Sequence, residues 1–497
     1  MKQDINSLLF FLLFSLLFNS VFSQKVNKAV LKKSPELLKE DFVLLQKILE
    51  ANHPSLYWYT PKDSLDTYFR EGIAGITDSL NEVQFKNKLS SVISKIRCGH
   101  TSVFFSRAYA KYEKNSRNPS FPLLMKAWED SLVVLGSLFR QDSIFKPGTI
   151  ITGINGRSNR QLLDSFFQFI SSDGYGYNYK NQTISNNFPG WYKNIIGLDS
   201  SYQVTYIDTL GKEVMANIKN FNPIVEATVK EKSSSETTFD KPTRRHIKKA
   251  KKLSKQELAI DTSLCTAFFR LSTFSGGGWN RFFRRSFKAI QQQKIKNVVI
   301  DLRSNGGGKV TNSILLTQYL TSQSFKIGDS VVAISRKFKY GNYIHPSLIY
   351  WFAMNFGAKK MADAKIHFRH YEQKVYEPKS RFHFNGQITL IQGGLTFSAA
   401  TMFIANLKGQ ERVTLVGEET GGGYYGNSAM YLPTITLPNS GLRVSLPMFR
   451  LVMDPSRPKG RGIMPDIPIP PSSWAIKRGI DPKMQKIREL IQHKTLN

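Results

Sequence analysis

A chain of 497 residues, 41% apolar and 12% aromatic, carries enough buried-type side chains for two or three cored domains and is neither disordered nor fibrous. Its formal charge of +32 suits nucleic acid, an anionic envelope surface or acidic substrates, but no helix-turn-helix, zinc-finger or RNA-binding motif accompanies it, so no specific nucleic acid is expected. Two cysteines, Cys98 and Cys265, exclude a disulfide scaffold and allow one bridge at most; no His or Cys pair has metal-ligand spacing, and neither metal nor cofactor is expected.

Residues 1–23 read as a signal peptide. Lys2 precedes an apolar run at 8–17, and Val21-Phe22-Ser23 ahead of Gln24 forms a small-residue cleavage site. The mature chain is therefore expected to be exported, periplasmic or secreted, with the envelope as a place of association. No later apolar stretch is long enough to cross a membrane.

Residues 24–105 form an N-terminal helical region. Leu37, Leu38, Phe42, Leu45, Ile48 and Leu49 share one helical face, and amphipathic segments follow at 65–73 and 83–96. The last runs into Arg97-Cys98-Gly99-His100-Thr101, where Gly99 suits a helix C-cap and His100 falls at the junction with a strand.

Residues 118–222 change texture to short strands, with Lys146-Pro147-Gly148-Thr149 and Asn155-Gly156-Arg157 as bracketing turns and a helix at 160–170. The stretch resembles a PDZ-type module, which implies peptide binding by strand addition; a purely structural β domain is the alternative. Residues 225–257 are a polar, then strongly basic linker that includes Arg244-Arg245-His246-Ile247-Lys248-Lys249-Ala250-Lys251-Lys252. It reads as a solvated loop able to touch an anionic envelope surface.

From 258 to 475 strands and helices alternate: strands at 267–271 and 297–302, helices at 279–292 and through Tyr319, then strands at 388–391 and 413–416. That order predicts right-handed crossovers in a largely parallel sheet. Residues 340–383, rich in aromatics, His and Lys, read as a mobile insertion, and 476–497 as a C-terminal helical tail. The strand at 388–391 enters Gly393-Gly394, and a helix opens at Thr396-Phe397-Ser398-Ala399-Ala400. Strand–turn–Ser–helix lifts a hydroxyl to the C-terminal edge of a sheet; N-capping of the helix is the plainer reading of Ser398.

Four phrases recur in order: Asp301-Leu302-Arg303-Ser304-Asn305-Gly306-Gly307 after an apolar strand, the Ser398 segment, Gly417-Glu418-Glu419-Thr420-Gly421-Gly422-Gly423, and Gly462-Ile463-Met464-Pro465-Asp466-Ile467. Together they resemble the C-terminal (tail-specific) processing peptidases, the S41 serine peptidases that include the tricorn core protease. The resemblance implies an α/β fold with a parallel-rich, ClpP/crotonase-like sheet core, an N-terminal helical region and the PDZ-like domain. It makes Ser398 the nucleophile, Ala399 and Gly307 the oxyanion-hole donors, and a polypeptide the substrate.

The processing-protease branch holds a lysine base where this chain has Gly423, 25 residues after Ser398. The tricorn-like branch uses a histidine from a Gly-His phrase, matched here by Gly99-His100, so the chain resembles that Ser/His branch more closely. A neutral imidazole can take the serine proton and return it to the leaving amine. The glutamate that orients the base in that branch has no counterpart here, where Arg457-Pro458-Lys459-Gly460-Arg461 stands. Glu418, Glu419 and Asp454 are the candidate orienting acids. The expected function is an exported serine endopeptidase acting on extended or unfolded segments. A weak or inactive peptide-binding homologue, or an esterase-type hydrolase using the same serine, are the alternatives.

Overall fold

In the computed structural model, which describes residues 31–225, 254–346 and 348–496, the first N-terminal apolar stripe sinks into the core except at its start, where Leu37 stays 41% exposed in the first helical turn. The leader at 1–23 and the basic run at 244–252 lie outside the described residues. Helix Pro35–Asn52 buries Leu38, Phe42, Leu45, Ile48 and Leu49 against Lys62–Ala74 and Glu82–Ile93. Each such side chain contributes about 1.5–3 kcal/mol on burial. A capping box between Asn81 and Gln84 starts the third helix, which tightens into a 3-10 turn at Ser94–Ile96. The left-handed residue that ends it is Arg97, at φ 58°, not Gly99.

Four sheets follow, and they overturn the expected parallel-rich ClpP/crotonase-like core. Of the seventeen strand pairings among the described residues, thirteen are antiparallel. The fold is α/β with mixed but mainly antiparallel sheets. Among the described strands, parallel pairing is confined to one six-stranded sheet, ordered Ile467–Pro468, Val413–Gly417, Gln387–Gln392, Asn297–Asp301, Thr266–Leu271, Gln256–Asp261. Even there the last strand runs antiparallel to its neighbour. The strand–helix alternation describes this one sheet and not the whole core. Outside it, short connections such as the turn at Gly441 (φ 73°) join strands that can only pair antiparallel.

The insertion at 340–383 is also more regular than expected. Its strands Lys359–Lys360 and Ile366–His367 extend a five-stranded sheet through Ser330–Ala333, Phe449–Val452 and Gly426–Ala429. Its strand Ile344–His345 closes a four-stranded sheet through Thr434–Thr436, Arg443–Ser445 and Val103–Phe104. Both sheets share one core with the N-terminal helices. Residues 123–219 form a separate antiparallel sheet with its own core, in which Phe121, Tyr192 and Tyr202 pack ring against ring.

The site lies where these parts meet. Helices Trp279–Gln292, Val310–Leu320 and Ala399–Leu407 cover one face of the parallel strands. Ile487 and Ile491 of helix Pro482–Leu496 cover the other. Strand Val103–Phe104 pairs with Arg443–Ser445, which ties the His100 segment to residues more than three hundred positions later.

Candidate active site

Strand Gln387–Gln392 enters a turn that Thr396 locks from both sides. The Thr396 hydroxyl donates to Leu302 O at 2.8 Å and accepts from the Gly393 N–H at 3.0 Å. Its carbonyl accepts from the Gly421 and Gly422 N–H groups and from Thr401 Oγ1, each at 3.1 Å. Between these fixed points Ser398 adopts φ 55°, ψ −124°. A residue with a β-carbon holds such a conformation only under constraint, at about 1–3 kcal/mol. It is the geometry of a nucleophile elbow. Ser398 is half-buried, and its hydroxyl makes no capping bond to helix Ala399–Leu407. The helix-cap reading of this serine is therefore excluded.

The neighbouring turn, 303–308, is set by Asn305, which is fully buried. Its amide donates to Leu271 O at 2.9 Å and accepts from the Gly307 N–H at 2.9 Å, while its carbonyl takes the Phe397 N–H at 3.0 Å. Arg303 pairs with Asp301 at 2.9 Å and with Asp481 at 2.7 Å, fixing the base of the turn. Gly307 has φ 92°, and a Cβ there would lie 2.8 Å from Ser398 Cβ and 2.9 Å from Ala399 N. Only glycine leaves the space beside the serine open. The Ala399 N–H, in the first helical turn, is free of an intrahelical acceptor. The Gly307 N–H is already donated to Asn305 Oδ1.

His100 arrives from the opposite side. Its ring centroid lies 4.7 Å from that of Phe397, the residue before Ser398. Its carbonyl accepts from Ser445 Oγ at 2.6 Å, and Thr101 Oγ1 lies 2.8 Å from His53 Nε2. Gly99 is needed for close approach, since a Cβ there would sit 2.6 Å from the Phe397 ring. Both imidazole nitrogens of His100 are buried without a hydrogen-bond partner, and burial lowers its pKa to about 4. The ring is therefore neutral at neutral pH and adjacent to the serine segment, without a bond to the serine.

None of the three candidate acids reaches it. Glu418 pairs with Lys483 at 2.6 Å; Glu419 holds Arg461 at 2.9 Å and the Gly462 N–H at 2.8 Å; Asp454 holds Arg457 at 3.0 Å and Ser456 Oγ at 2.6 Å. The acid that sequence reasoning missed is Asp173, which is buried. Its two oxygens accept from the Gly99 N–H at 2.8 Å and the Gly423 N–H at 3.4 Å. Burial pushes its carboxyl up to about 7, against the pull of those two N–H groups. It thus joins the histidine loop to the glycine loop beside Ser398. Gly422 of that loop is close enough that a Cβ on it would come within 3.1 Å of Ser398 N. Ser171-Ser172-Asp173-Gly174 carries no motif, so only the fold could find it. Cys98 and Cys265 are both free thiols.

Residues 266–469 match the model of peptidase family S41. No curated protein matches the sequence. Among solved structures, the chain is similar to mature CPAF, at 13% identity and a TM-score of 0.63 over 92% of this chain and 97% of that one. It is also similar to mature CPAF complexed with lactacystin, at 12% identity and a TM-score of 0.62 over 93% and 98%. At such identity the likeness is one of fold. The family match is confined to residues 266–469, and on that segment the chain is classed as a serine-type peptidase of family S41.

Proposed function

We propose that the protein is an exported endopeptidase of the Ser/His type that cleaves extended or unfolded polypeptide segments. The observation that carries this reading is a strained, uncapped Ser398 beside a neutral His100 that packs on Phe397 and whose nitrogens have no hydrogen-bond partner. A buried, unbonded polar group costs about 1–3 kcal/mol, which a purely structural histidine would avoid. Ser398 Oγ attacks the scissile carbonyl as its proton passes to His100. The C–N bond then breaks, the proton leaves with the amine, and water repeats the sequence to release the acyl group. Ala399 N–H meets the developing oxyanion; Gly307 adds a second donor by sharing its N–H with Asn305. Loss of one such donor costs about 10²–10³ in rate. Gly423 leaves no lysine at the other branch's position, which supports the histidine base. Export rests on residues 1–23, and amino-terminal sequencing of the mature protein should begin at Gln24.

A second reading, a peptide-binding homologue of low activity, is favoured by the missing Ser398–His100 bond and by the absence of an acid on His100. A fluorophosphonate probe separates the two. Rapid labelling of the wild type that Ser398→Ala abolishes, with cleavage of a denatured protein, supports the peptidase. No labelling of the wild type, or equal labelling of the variant, overturns it. Labelling with hydrolysis of p-nitrophenyl esters but not of unfolded protein would make the chain an acyl hydrolase.

A further inference from the structure

The helix Leu348–Gly357, LIYWFAMNFG, contains no charged residue, yet Trp351 is 43% exposed and Phe352 is 55% exposed. Their rings lie 5.0 Å apart and present one aromatic surface. Met354 alone of the described side chains in this helix is buried against the core. The surroundings are cationic. Residues 334–383 hold ten Lys and Arg against three Asp and Glu. Two of those acids are occupied: Asp363 faces His367 and Lys365, and Glu372 takes His367 Nδ1 and the Val331 N–H, both at 2.8 Å.

The cations are held beside the helix. Arg336 donates to Ala358 O at 2.9 Å, just past the helix end, and Lys339 exchanges backbone bonds with Asn52 at 3.1 and 3.2 Å. Lys337 and Lys339 are exposed, and so are Lys359 and Lys360, which follow the helix end at Gly357 by two and three residues.

We propose that this helix and its flanking lysines form a docking surface for an anionic lipid bilayer. Tryptophan sits at the level of the lipid headgroups, where its apolar body and its indole N–H are both satisfied, phenylalanine enters the acyl boundary below, and lysines reach the phosphates. A second copy of the chain is disfavoured, because two such faces would meet with like charge. Nucleic acid offers the phosphates but no apolar layer for Phe352. The surface is independent of the Ser398 chemistry.

The test is co-sedimentation of the full mature chain with vesicles of phosphatidylcholine alone or containing phosphatidylglycerol. Binding to the anionic vesicles only, weakened by salt, is expected. Trp351→Ser with Phe352→Ser should lower it at least tenfold, and Lys359→Gln with Lys360→Gln about fivefold per lysine. Unchanged thermal midpoints show that the variants are folded. The proposal is overturned if the wild type binds neither vesicle, or if both pairs of variants bind as the wild type does. It is also overturned if only substitution of Lys248, Lys249, Lys251 and Lys252 removes binding. A dimer that the aromatic variants dissociate would assign the face to self-association. Tighter binding to nucleic acid than to vesicles, insensitive to Phe352→Ser, would assign the cations elsewhere.

Discussion

The two sides of the candidate site are built differently. The serine side is over-determined: Thr396 alone makes six hydrogen bonds around the turn, and Asn305 makes four more behind it. On the histidine side the backbone is fixed, by Ser445 on the His100 carbonyl and Asp173 on the Gly99 N–H, but the imidazole has no polar partner. The difference teaches that the nucleophile's position is stored in backbone strain, whereas the base can complete its bonding only with the serine, the substrate or water. Strain needs many braces; a proton carrier needs freedom to turn.

The largest test of that contrast removes the base. His100→Ala should lower cleavage of a denatured protein by about 10³–10⁶-fold while leaving the thermal midpoint near the wild-type value, read by steady-state kinetics and a melt. A loss below tenfold would take His100 out of the mechanism.

Next comes the brace. Asn305→Ala strands Leu271 O and the Gly307 N–H in the core, at about 1–3 kcal/mol each. Urea unfolding should show a loss of about 2–4 kcal/mol, and probe labelling of Ser398 should slow even in the fraction that is folded. Full-rate labelling would mean that the elbow holds without this turn.

Asp173→Asn probes the link between the two sides. The Asp173 carboxyl, raised to about 7 by burial, is protonated below that pH and can then accept fewer N–H bonds. The titratable groups that sense it, Cys98, Tyr59 and Tyr179, are all shifted upward by burial and stay neutral through the same range. Wild-type kcat/KM should therefore fall about tenfold from pH 8 to pH 6, as the ionised fraction drops, and Asp173→Asn should flatten that limb. Stability carries the opposite sign. A carboxyl raised in the folded state stabilises it most at low pH, and that contribution is lost as pH climbs from about 4 to about 7. Asp173→Asn should remove this slope from the pH dependence of unfolding.

The smallest effect is expected at Asp454→Asn. Its carboxylate serves Arg457 and Ser456, so labelling of Ser398 should stay within about twofold of wild type. A tenfold drop would restore Asp454 as an orienting acid.

The serine side was the legible one because its chemistry is local. An apolar strand, two glycines, a small-residue helix and an Asp-Leu-Arg-Ser-Asn-Gly-Gly turn are contiguous phrases, and each dictates its own backbone. What failed was extension from part to whole. Strand–helix alternation describes four parallel strands between 266 and 417, but the antiparallel sheets that interrupt and surround them are made by strands of two to seven residues with little periodicity to detect. His100 could be named from Gly99 beside it, yet its neighbours could not. Phe397, Ser445 and Asp173 come from three distant segments.

By itself, then, the sequence determined the elbow, its glycines and the absence of a lysine at 423, since these depend on residue type and short-range geometry. Only the tertiary structure decided that Ser398 is strained rather than capping, that Glu418, Glu419 and Asp454 are spent on basic partners, and that a buried Asp173 joins the two loops. Those outcomes rest on burial and on hydrogen bonds between segments up to about 250 residues apart, which no local pattern encodes.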